Sequence, residues 1–404
     1  MMEAPPEAGP AAVLLVLGGG PEVTGSDSDV LITTARMDPA RFRFIVLANP
    51  LSDGYRNRLS RLLPGTTVFE AQQPAYGFLH PAIRPPRSPL WWAKFSMDSA
   101  CRLRKIRRAH LGALGSARIR LVHTAASPFF AGAALARSLG VPHLWHCRET
   151  PARPGFFQRF WARRMLARSA AVLVPSRATG AIFGGRARIV EDGVDPRYLA
   201  PLPFASREAA RLALGLPAQQ RLVLCIGSLN PQKGQPDLVA AVGVLARRGL
   251  SDFSLVFLGT ARTEADERVF VEAVRSAGLA ADRVIRRSFT DDPRPYYLAA
   301  DVVAHPAALP DSFPNVVREA QWLGLPIVAT RTGGISEMIE DGVTGLLAEP
   351  KNPESLADAL GRALSDSALA ESLGRAAKES ARRRYHPDAA AKAMMDIYEN
   401  YLHA

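Results

Sequence analysis

The sequence lacks long hydrophobic runs and contains few cysteines. None of its apolar runs reaches 18 residues, so we expect no helix that spans a membrane. Its opening has no basic n-region, and the short run AAVLLVL at residues 11–17 ends in glycines, which is typical of a buried first strand and not of a signal peptide. The three widely spaced cysteines, Cys101, Cys147 and Cys225, exclude a disulfide framework and a CxxC zinc site. We therefore expect reduced thiols and a cytoplasmic protein.

Motifs typical of nucleic-acid binding are also missing, since no zinc-finger, RNP-type or homeodomain-like pattern occurs. The charge is nonetheless basic: 50 Lys and Arg stand against 38 Asp and Glu, for a formal net charge of +12 and a pI of about 10.1. Such an excess favours an anionic partner, such as a phosphate or an acidic lipid, although genome composition alone would explain it equally well. We expect no nucleic-acid partner.

Short apolar runs alternate with longer segments of helical period, and this predicts α/β structure with parallel sheets covered on both faces. The pattern occurs twice, on either side of a Pro-rich stretch at residues 191–211. We therefore expect two doubly wound, Rossmann-like domains, residues 1–200 and 201–385, and a final helix in 386–404 that packs back on the first domain. A ligand site is expected in a cleft between them, at the carboxyl ends of strands. The predicted strands are residues 12–17, 42–48, 66–71, 118–123, 142–147, 170–175, 221–227, 253–259, 283–289, 300–306, 325–330 and 344–350.

Two stretches of the second half carry candidate site residues. In DSFPNVVREA, Pro314 and Asn315 open a helix whose first N–H groups form an anion site, while Asp311 and Glu319 offer carboxylates to sugar and ribose hydroxyls. In CIGSLNPQKGQPDL, a strand leads into a loop that carries Lys233, a cation suited to a diphosphate. The alternative is that Asp311 caps the helix, Glu319 is solvated and Lys233 is an exposed turn residue. The Walker spacing GxxxxGK[ST] is absent.

Taken together, these motifs resemble the retaining glycosyltransferases of family 4. The resemblance rests on motifs that follow one another between residues 221 and 350. The first is the loop that carries Lys233, and the second is an acidic residue followed by Phe-Pro-Asn and Glu-Ala. The last two are GLPIVAT and GGISE. The resemblance is weaker over residues 12–200. It implies the GT-B fold of two Rossmann-like domains and transfer of a sugar from a nucleotide-diphospho-sugar to a glycan or lipid-linked acceptor, with retention of anomeric configuration.

The resemblance also implies roles for individual residues. Lys233 matches the lysine that holds the donor diphosphate, and Glu319 matches the acid that binds the ribose. Asp311 matches the acid that contacts the transferred sugar, and His146 matches the histidine near that sugar, so these two are the catalytic candidates. The backbone around them is expected to meet the sugar, at Phe313 and Pro314, or the diphosphate, at Ser228, Asn315, Val316 and Gly19 of the glycine-rich first loop.

Two positions depart from the pattern of this family. Ser228 stands where the family usually has an arginine, which leaves one phosphate charge uncompensated unless Arg287 or Arg262 reaches it. Asp311 stands where the family usually has a glutamate one methylene longer. The nucleobase is expected to lie against Arg287, Ser288 and Phe289.

Aromatic and basic residues are concentrated in residues 84–112. Trp91, Trp92 and Phe95 precede Arg102, Arg104, Lys105, Arg107 and Arg108. A helix from Trp91 to Arg108 could lie on an anionic membrane, which would place the protein on the inner face of the cell membrane. The alternative is a core-facing helix with a solvated basic side. Asp27 and Asp29 mimic a metal-binding DxD, but a helix cap is the simpler explanation, and we expect no metal.

Two other functions remain open at this point. Nucleotide-sugar 2-epimerases share the fold but need further carboxylates and histidines. A degenerate protein could bind a nucleotide sugar without turnover, and Ser228 and Asp311 keep this option open. Release of nucleoside diphosphate with an acceptor would identify the transferase, whereas sugar interconversion without one would identify the epimerase.

Overall fold

The computed structural model describes residues 9–20, 25–76 and 88–403, so the start of the aromatic and basic segment, residues 84–87, lies outside the described residues. The described residues divide into two compact units, one within the ranges 1–193 and 387–404 and the other within 194–386. The sequence predicted the domain boundaries after residues 200 and 385. Each unit is a parallel sheet with helices on both faces.

The first unit is built on a sheet in the order β3-β2-β1-β4-β5-β6-β7, with every pair parallel. Six of these strands lie at the predicted segments; the seventh, a two-residue strand, was not predicted. The strands are β1 (Ala11–Gly20), β2 (Phe42–Leu51), β3 (Thr67–Glu70), β4 (Ile119–Thr124), β5 (His143–His146), β6 (Ala171–Val174) and β7 (Arg188–Ile189). The helices are α1 (Gly25–Thr34), α2 (Asp53–Leu62), α3 (Pro89–Ser116), α4 (Ala131–Leu139), α5 (Phe156–Arg168) and α6 (Arg177–Gly180).

The second unit repeats the topology, with the order β10-β9-β8-β11-β12-β13. All of its strand pairs are parallel, and each strand lies within a predicted segment. The strands are β8 (Arg221–Ile226), β9 (Phe253–Leu258), β10 (Val284–Arg287), β11 (Val302–His305), β12 (Ile327–Thr330) and β13 (Leu346–Ala348). The helices are α7 (Arg207–Leu214), α8 (Gln235–Arg247), α9 (Glu264–Ser276), α10 (Arg294–Ala299), α11 (Asn315–Leu323), α12 (Ile335–Met338), α13 (Pro353–Ser365) and α14 (Ser367–Arg384).

Alternating side chains of the central strands fill a core on each face of both sheets. In β1, Val13 and Leu15 belong to one buried cluster, and Leu14 and Val16 to the cluster on the opposite face. Such strands read as continuous apolar runs because a parallel sheet is covered on both sides, which is why the sequence predicted them well.

The last helix, α15 (Pro387–Leu402), belongs to the first unit, as the predicted fold class requires. Met394 and Tyr398 of α15 lie in the same buried cluster as Val13 and Leu15. The hydroxyl of Tyr398 lies 2.7 Å from Nδ1 of His123 in β4. The chain thus returns to its first unit through packing and a buried hydrogen bond.

Candidate functional site

The site begins where the strand order of the second sheet changes direction. β8 and β11 are neighbours there, although β9 and β10 lie between them in sequence. The segments that follow these two strands carry Lys233 and Asp311. Nζ of Lys233 lies 2.6 Å from Oδ2 of Asp311, and the side chains are 36% and 17% exposed. Because open α/β sheets bind ligands at such a switch point, the ion pair marks the candidate site.

Lys233 is held by a short turn after β8. Oδ1 of Asn230 accepts a hydrogen bond from the N–H of Lys233, in a 3₁₀ turn over Pro231–Lys233. Gly234 follows with a φ of +73°, and a Cβ there would lie 1.8 Å from the carbonyl oxygen of Pro306. Only glycine permits this close approach, so the turn rests directly on the segment after β11.

The backbone of Asp311 is fixed by the two glycines of the GGISE motif. The N–H of Gly334 donates to the Asp311 carbonyl at 2.8 Å. Gly333 has a φ of +57°, and a Cβ there would lie 2.2 Å from the same carbonyl oxygen. The motif after β12 therefore positions the carboxylate that follows β11.

The Asp311 carboxylate has a second basic neighbour that the sequence did not suggest. Nε2 of the buried His305, the last residue of β11, lies 3.4 Å from the oxygen that pairs with Lys233. Burial alone would raise the pKa of the Asp311 carboxyl, but the charge of Lys233 and the proximity of His305 outweigh it and hold that pKa well below its ordinary value. Asp311 is thus ionised at neutral pH and is not a helix cap.

The start of α11 follows Asp311 directly. Pro314 takes the N-cap position with extended backbone and no side-chain cap, so the helix opens on the N–H groups of Asn315 and Val316. Oδ1 of Asn315 accepts a hydrogen bond from the buried Arg318 at 2.7 Å. The Phe313 ring is buried, edge-on to another ring, so only its backbone is available to a ligand.

Glu319 lies one turn further along α11, in a partly buried position. Its Oε2 accepts a hydrogen bond from the hydroxyl of Tyr297 at 2.7 Å. Burial raises the pKa of Glu319, while the hydroxyls of Tyr297 and Tyr198 oppose the shift. The carboxylate is therefore fixed by tyrosine and is not a freely solvated side chain.

The residues expected at the nucleobase lie at the end of β10, two strands away from β8. The guanidinium of Arg287 donates to the carbonyls of Leu214 and Gly215, at 3.4 and 3.5 Å, so it caps the end of α7. Ser288 is exposed, and Phe289 is 71% exposed.

Polar contacts close the loop that carries Ser228 in place of the arginine expected from the resemblance. Oγ of Ser228 accepts a hydrogen bond from Asn230 at 3.0 Å. Leu229 forms a parallel bridge with Ala261, which places the exposed Arg262 beside this loop. Of the two arginines that the sequence suggested as substitutes, Arg262 is therefore the one that lies beside this loop.

His146 ends β5 in the first unit and has no exposed surface. Its ring stacks on that of His123, with 5.4 Å between centroids. Burial, together with the charges of Arg148 and His123, lowers the pKa of His146 well below its usual value, so the imidazole is neutral at physiological pH. A contact between His146 and a sugar stays a prediction.

The glycine-rich loop of the first unit is bound by Asp27. The N–H groups of Gly18 and Gly19 donate to its two carboxylate oxygens at 3.0 and 3.1 Å, and Tyr55 donates its hydroxyl at 2.9 Å. Gly19 has a φ of +65°, and a Cβ there would lie 2.5 Å from the carbonyl oxygen of Asn49. The Gly19 N–H is thus engaged within the protein, and its expected contact with the diphosphate is a prediction.

Asp29, the second acid of the apparent DxD, pairs with the buried Arg148 at 2.9 Å, and Arg148 also pairs with Asp192 at 2.5 Å. In the described part of the chain, no group of three or more His, Cys, Asp or Glu side chains is placed to hold a metal ion.

No described helix is long and apolar enough to cross a bilayer.

Sequence comparison points to the same region. A family model described as glycosyl transferases group 1 matches residues 206–380, which contain the site from Ser228 to Glu319. The chain is 36% identical over 222 residues to a D-inositol 3-phosphate glycosyltransferase of Xylanimonas cellulosilytica, a match that covers 53% of this chain and 51% of that protein. The chain therefore spans about half the length of the curated relatives it matches.

Solved structures share the whole fold. HepE of Anabaena, in complex with UDP and glucose, matches with a TM-score of 0.77 at 20% identity, over 96% of this chain and 99% of that chain. Sucrose-phosphate synthase of Thermosynechococcus elongatus matches with a TM-score of 0.72 at 21% identity, over 96% and 98%. At such identities the likeness concerns the fold alone. The GT-B fold class predicted from the sequence is confirmed.

Proposed function

We propose that the protein is a retaining glycosyltransferase that moves a sugar from a nucleotide-diphospho-sugar to a glycan or lipid-linked acceptor. The observation that carries the proposal is the Lys233–Asp311 ion pair, which lies at the switch point of the second sheet directly before the N-terminus of α11. A cation, an ionised carboxylate and a helix N-terminus thus occur together inside the region that matches the family model.

The donor diphosphate would be held by charge and by backbone. Lys233 supplies a point charge, and the N–H groups of Asn315 and Val316 supply the positive end of a helix dipole. The diphosphate would compete with Asp311 for the lysine, which frees the carboxylate to accept hydrogen bonds from the sugar. Negative charge that develops on the departing diphosphate would be stabilised by the same fixed groups, a form of electrostatic catalysis.

Glu319 would bind the ribose. A carboxylate held in one orientation by Tyr297 is ready to accept hydrogen bonds from two vicinal hydroxyls, and fixing it beforehand lowers the entropy lost on binding. No residue of this arrangement requires a metal, and metal-independent transfer is part of the proposal.

The proposed acceptor and the proposed location of the protein rest on observations outside the donor site. The relatives named as D-inositol 3-phosphate glycosyltransferases support a phosphorylated polyol or glycan as acceptor. Contact with an anionic membrane is supported by α3, on which five basic side chains between Arg102 and Arg108 are exposed, with Leu90 and Met97 exposed near its start. The protein would then work in the cytoplasm, on the inner face of the membrane.

A non-catalytic nucleotide-sugar-binding subunit is the second candidate function. It is favoured by Ser228, which brings no charge to the diphosphate at the position where the resemblance predicts an arginine. A nucleotide-sugar 2-epimerase has less support, because the described site contains no further pair of carboxylates.

The two candidates differ in turnover. We would incubate the wild type with UDP-, GDP- and ADP-sugars and with inositol phosphate or a membrane extract, and measure the released nucleoside diphosphate. Glu319→Ala should abolish release, whereas Glu340→Ala, an exposed acid of the same unit, should not. Retention is tested by the anomeric configuration of the product. Binding without release would overturn the transferase in favour of the subunit.

A further inference from the structure

A cavity lies in the first unit, and none of its lining residues belongs to the proposed donor site. It has a volume of about 230 Å³ and is enclosed by α3, α4, β5 and α5. Its inner wall is apolar and includes Phe130, Trp145, Trp161 and Met165. Trp145 donates its only N–H to the carbonyl of Ala126 at 3.1 Å, so that ring offers the cavity no hydrogen-bond donor.

Three arginines close the rim of this cavity. Arg137 at the end of α4 and Arg164 and Arg168 on α5 all line it. Across the described residues, no carboxylate lies within ion-pair distance of these three guanidinium groups. Partial burial and the charges of Arg164 and Arg137 lower the pKa of Arg168, so the three groups repel one another. Arg137 and Arg168 are exposed and Arg164 is half-buried, and an anion bound between the three groups would relieve their repulsion.

The apolar cavity and its basic rim favour different chemical groups of a ligand. A free phosphate would satisfy the guanidinium groups but leave the aromatic wall against water, whereas an uncharged hydrocarbon would fill the cavity but leave the charges unmatched. A molecule with one hydrocarbon chain and a phosphate head satisfies both, because guanidinium groups bind phosphate oxygens in a bidentate manner and buried methylene groups gain hydrophobic free energy.

We propose that the cavity lined by Trp145, Trp161 and Met165 and rimmed by Arg137, Arg164 and Arg168 binds a phosphate-headed lipid through one hydrocarbon chain. The site is separate from the nucleotide-sugar chemistry and goes beyond the proposed function. It lies beside α3, whose Leu103 also lines it. A lipid drawn into this cavity would hold the basic face of α3 against the membrane that supplies the lipid.

The first test uses single-chain probes in calorimetry of the full chain, without nucleotide. Each added methylene should raise affinity about fourfold until the chain fills the cavity, so octyl phosphate should bind roughly 200-fold more tightly than butyl phosphate. Inorganic phosphate and octanol should each bind far more weakly than octyl phosphate. Equal affinity for octyl phosphate and inorganic phosphate, or for octyl phosphate and octanol, would overturn the proposal.

Variants then locate the bound molecule. Arg164→Gln with Arg168→Gln should weaken octyl phosphate binding at least about tenfold, the scale of one charge-assisted contact. Arg159→Gln with Arg163→Gln makes the same charge change on exposed residues of α5 that do not line the cavity, and should change little. Ala134→Phe should block the cavity, with thermal unfolding as the check of folding. Equal loss in both arginine pairs would show diffuse surface attraction and overturn the site.

Discussion

The amine of Lys233 and the carboxylate of Asp311 are 78 residues apart in sequence and 2.6 Å apart in space. They meet because the second sheet places β11 beside β8, and because Gly234 and Gly333 let the loops after β8 and β12 approach the segment after β11 without a Cβ between them. The proposed donor site depends on this pairing.

The ion pair should make stability depend on pH. The folded pKa of Asp311 lies below its unfolded value of about 3.9, so the ionised carboxylate stabilises the protein above that pH, and the contribution is lost as the pH falls towards the folded pKa. Lys233→Met should lower the free energy of unfolding by about 1–3 kcal/mol at pH 7, the cost of a removed charged partner. Urea unfolding from pH 7 to pH 3 measures the difference.

The difference between the wild type and Lys233→Met should shrink below about pH 4, because the folded variant then takes up a proton on Asp311 while the folded wild type keeps this carboxylate ionised. In an Asp311→Asn background, Lys233→Met should cost little at any pH. A constant difference down to pH 3 would show that Lys233 does not act on the ionised carboxylate.

Tyr297 should position Glu319 for the ribose. Tyr297→Phe removes the 2.7 Å hydrogen bond and should raise the KM for the donor about tenfold, with a smaller effect on kcat. Preference for the ribonucleoside diphosphate over its 2′-deoxy form should also fall, which a purely structural role would not cause. Tyr296→Phe, on the same helix, is the control. Unchanged discrimination in Tyr297→Phe would contradict this role.

Gly333 should be needed for the site and not only for the fold. Gly333→Ala strains the backbone at positive φ and places a Cβ 2.2 Å from the Asp311 carbonyl, whereas Gly342→Ala strains the backbone at a φ of +77° in open space. Both should lose about 1 kcal/mol of stability from strain, and Gly333→Ala should lose more because its Cβ must displace the Asp311 backbone. Only Gly333→Ala should also lose nucleoside diphosphate binding, measured by calorimetry. Equal binding in the two variants would refute this assignment.

The basic face of α3 should bind anionic vesicles. The full chain should sediment with phosphatidylglycerol vesicles at low salt but not with phosphatidylcholine, and binding should fall as salt is added. Replacing Arg104, Lys105 and Arg108 with Gln should remove most of the vesicle binding. Replacing the exposed Arg247, Arg268 and Arg275 of the second unit with Gln should not. No sedimentation at low salt would exclude the membrane contact.

The fold was predictable because parallel strands covered on both faces are read as apolar runs. β7 escaped prediction because Arg188–Ile189 has two exposed residues and shows no pattern. Motif spacing indicated Lys233, Asp311 and Glu319 as site residues. It did not indicate that Lys233 and Asp311 form an ion pair, because the order of the strands in the sheet decides this. His305 was missed because a single polar side chain in an apolar strand gives no signal before its neighbours are known, and Tyr297 because its place in RPYYLA does not show which carboxylate it meets.

The central claim is that Lys233 holds a nucleoside diphosphate. Calorimetry with UDP, GDP and ADP should find one that binds the wild type, and Lys233→Met should weaken that binding by about 1.5–3 kcal/mol, the range of a charge-assisted hydrogen bond. Lys392→Met, which removes an exposed lysine of α15, should bind like the wild type. If no nucleoside diphosphate binds, or if Lys233→Met binds as tightly as the wild type, the proposed donor site is wrong.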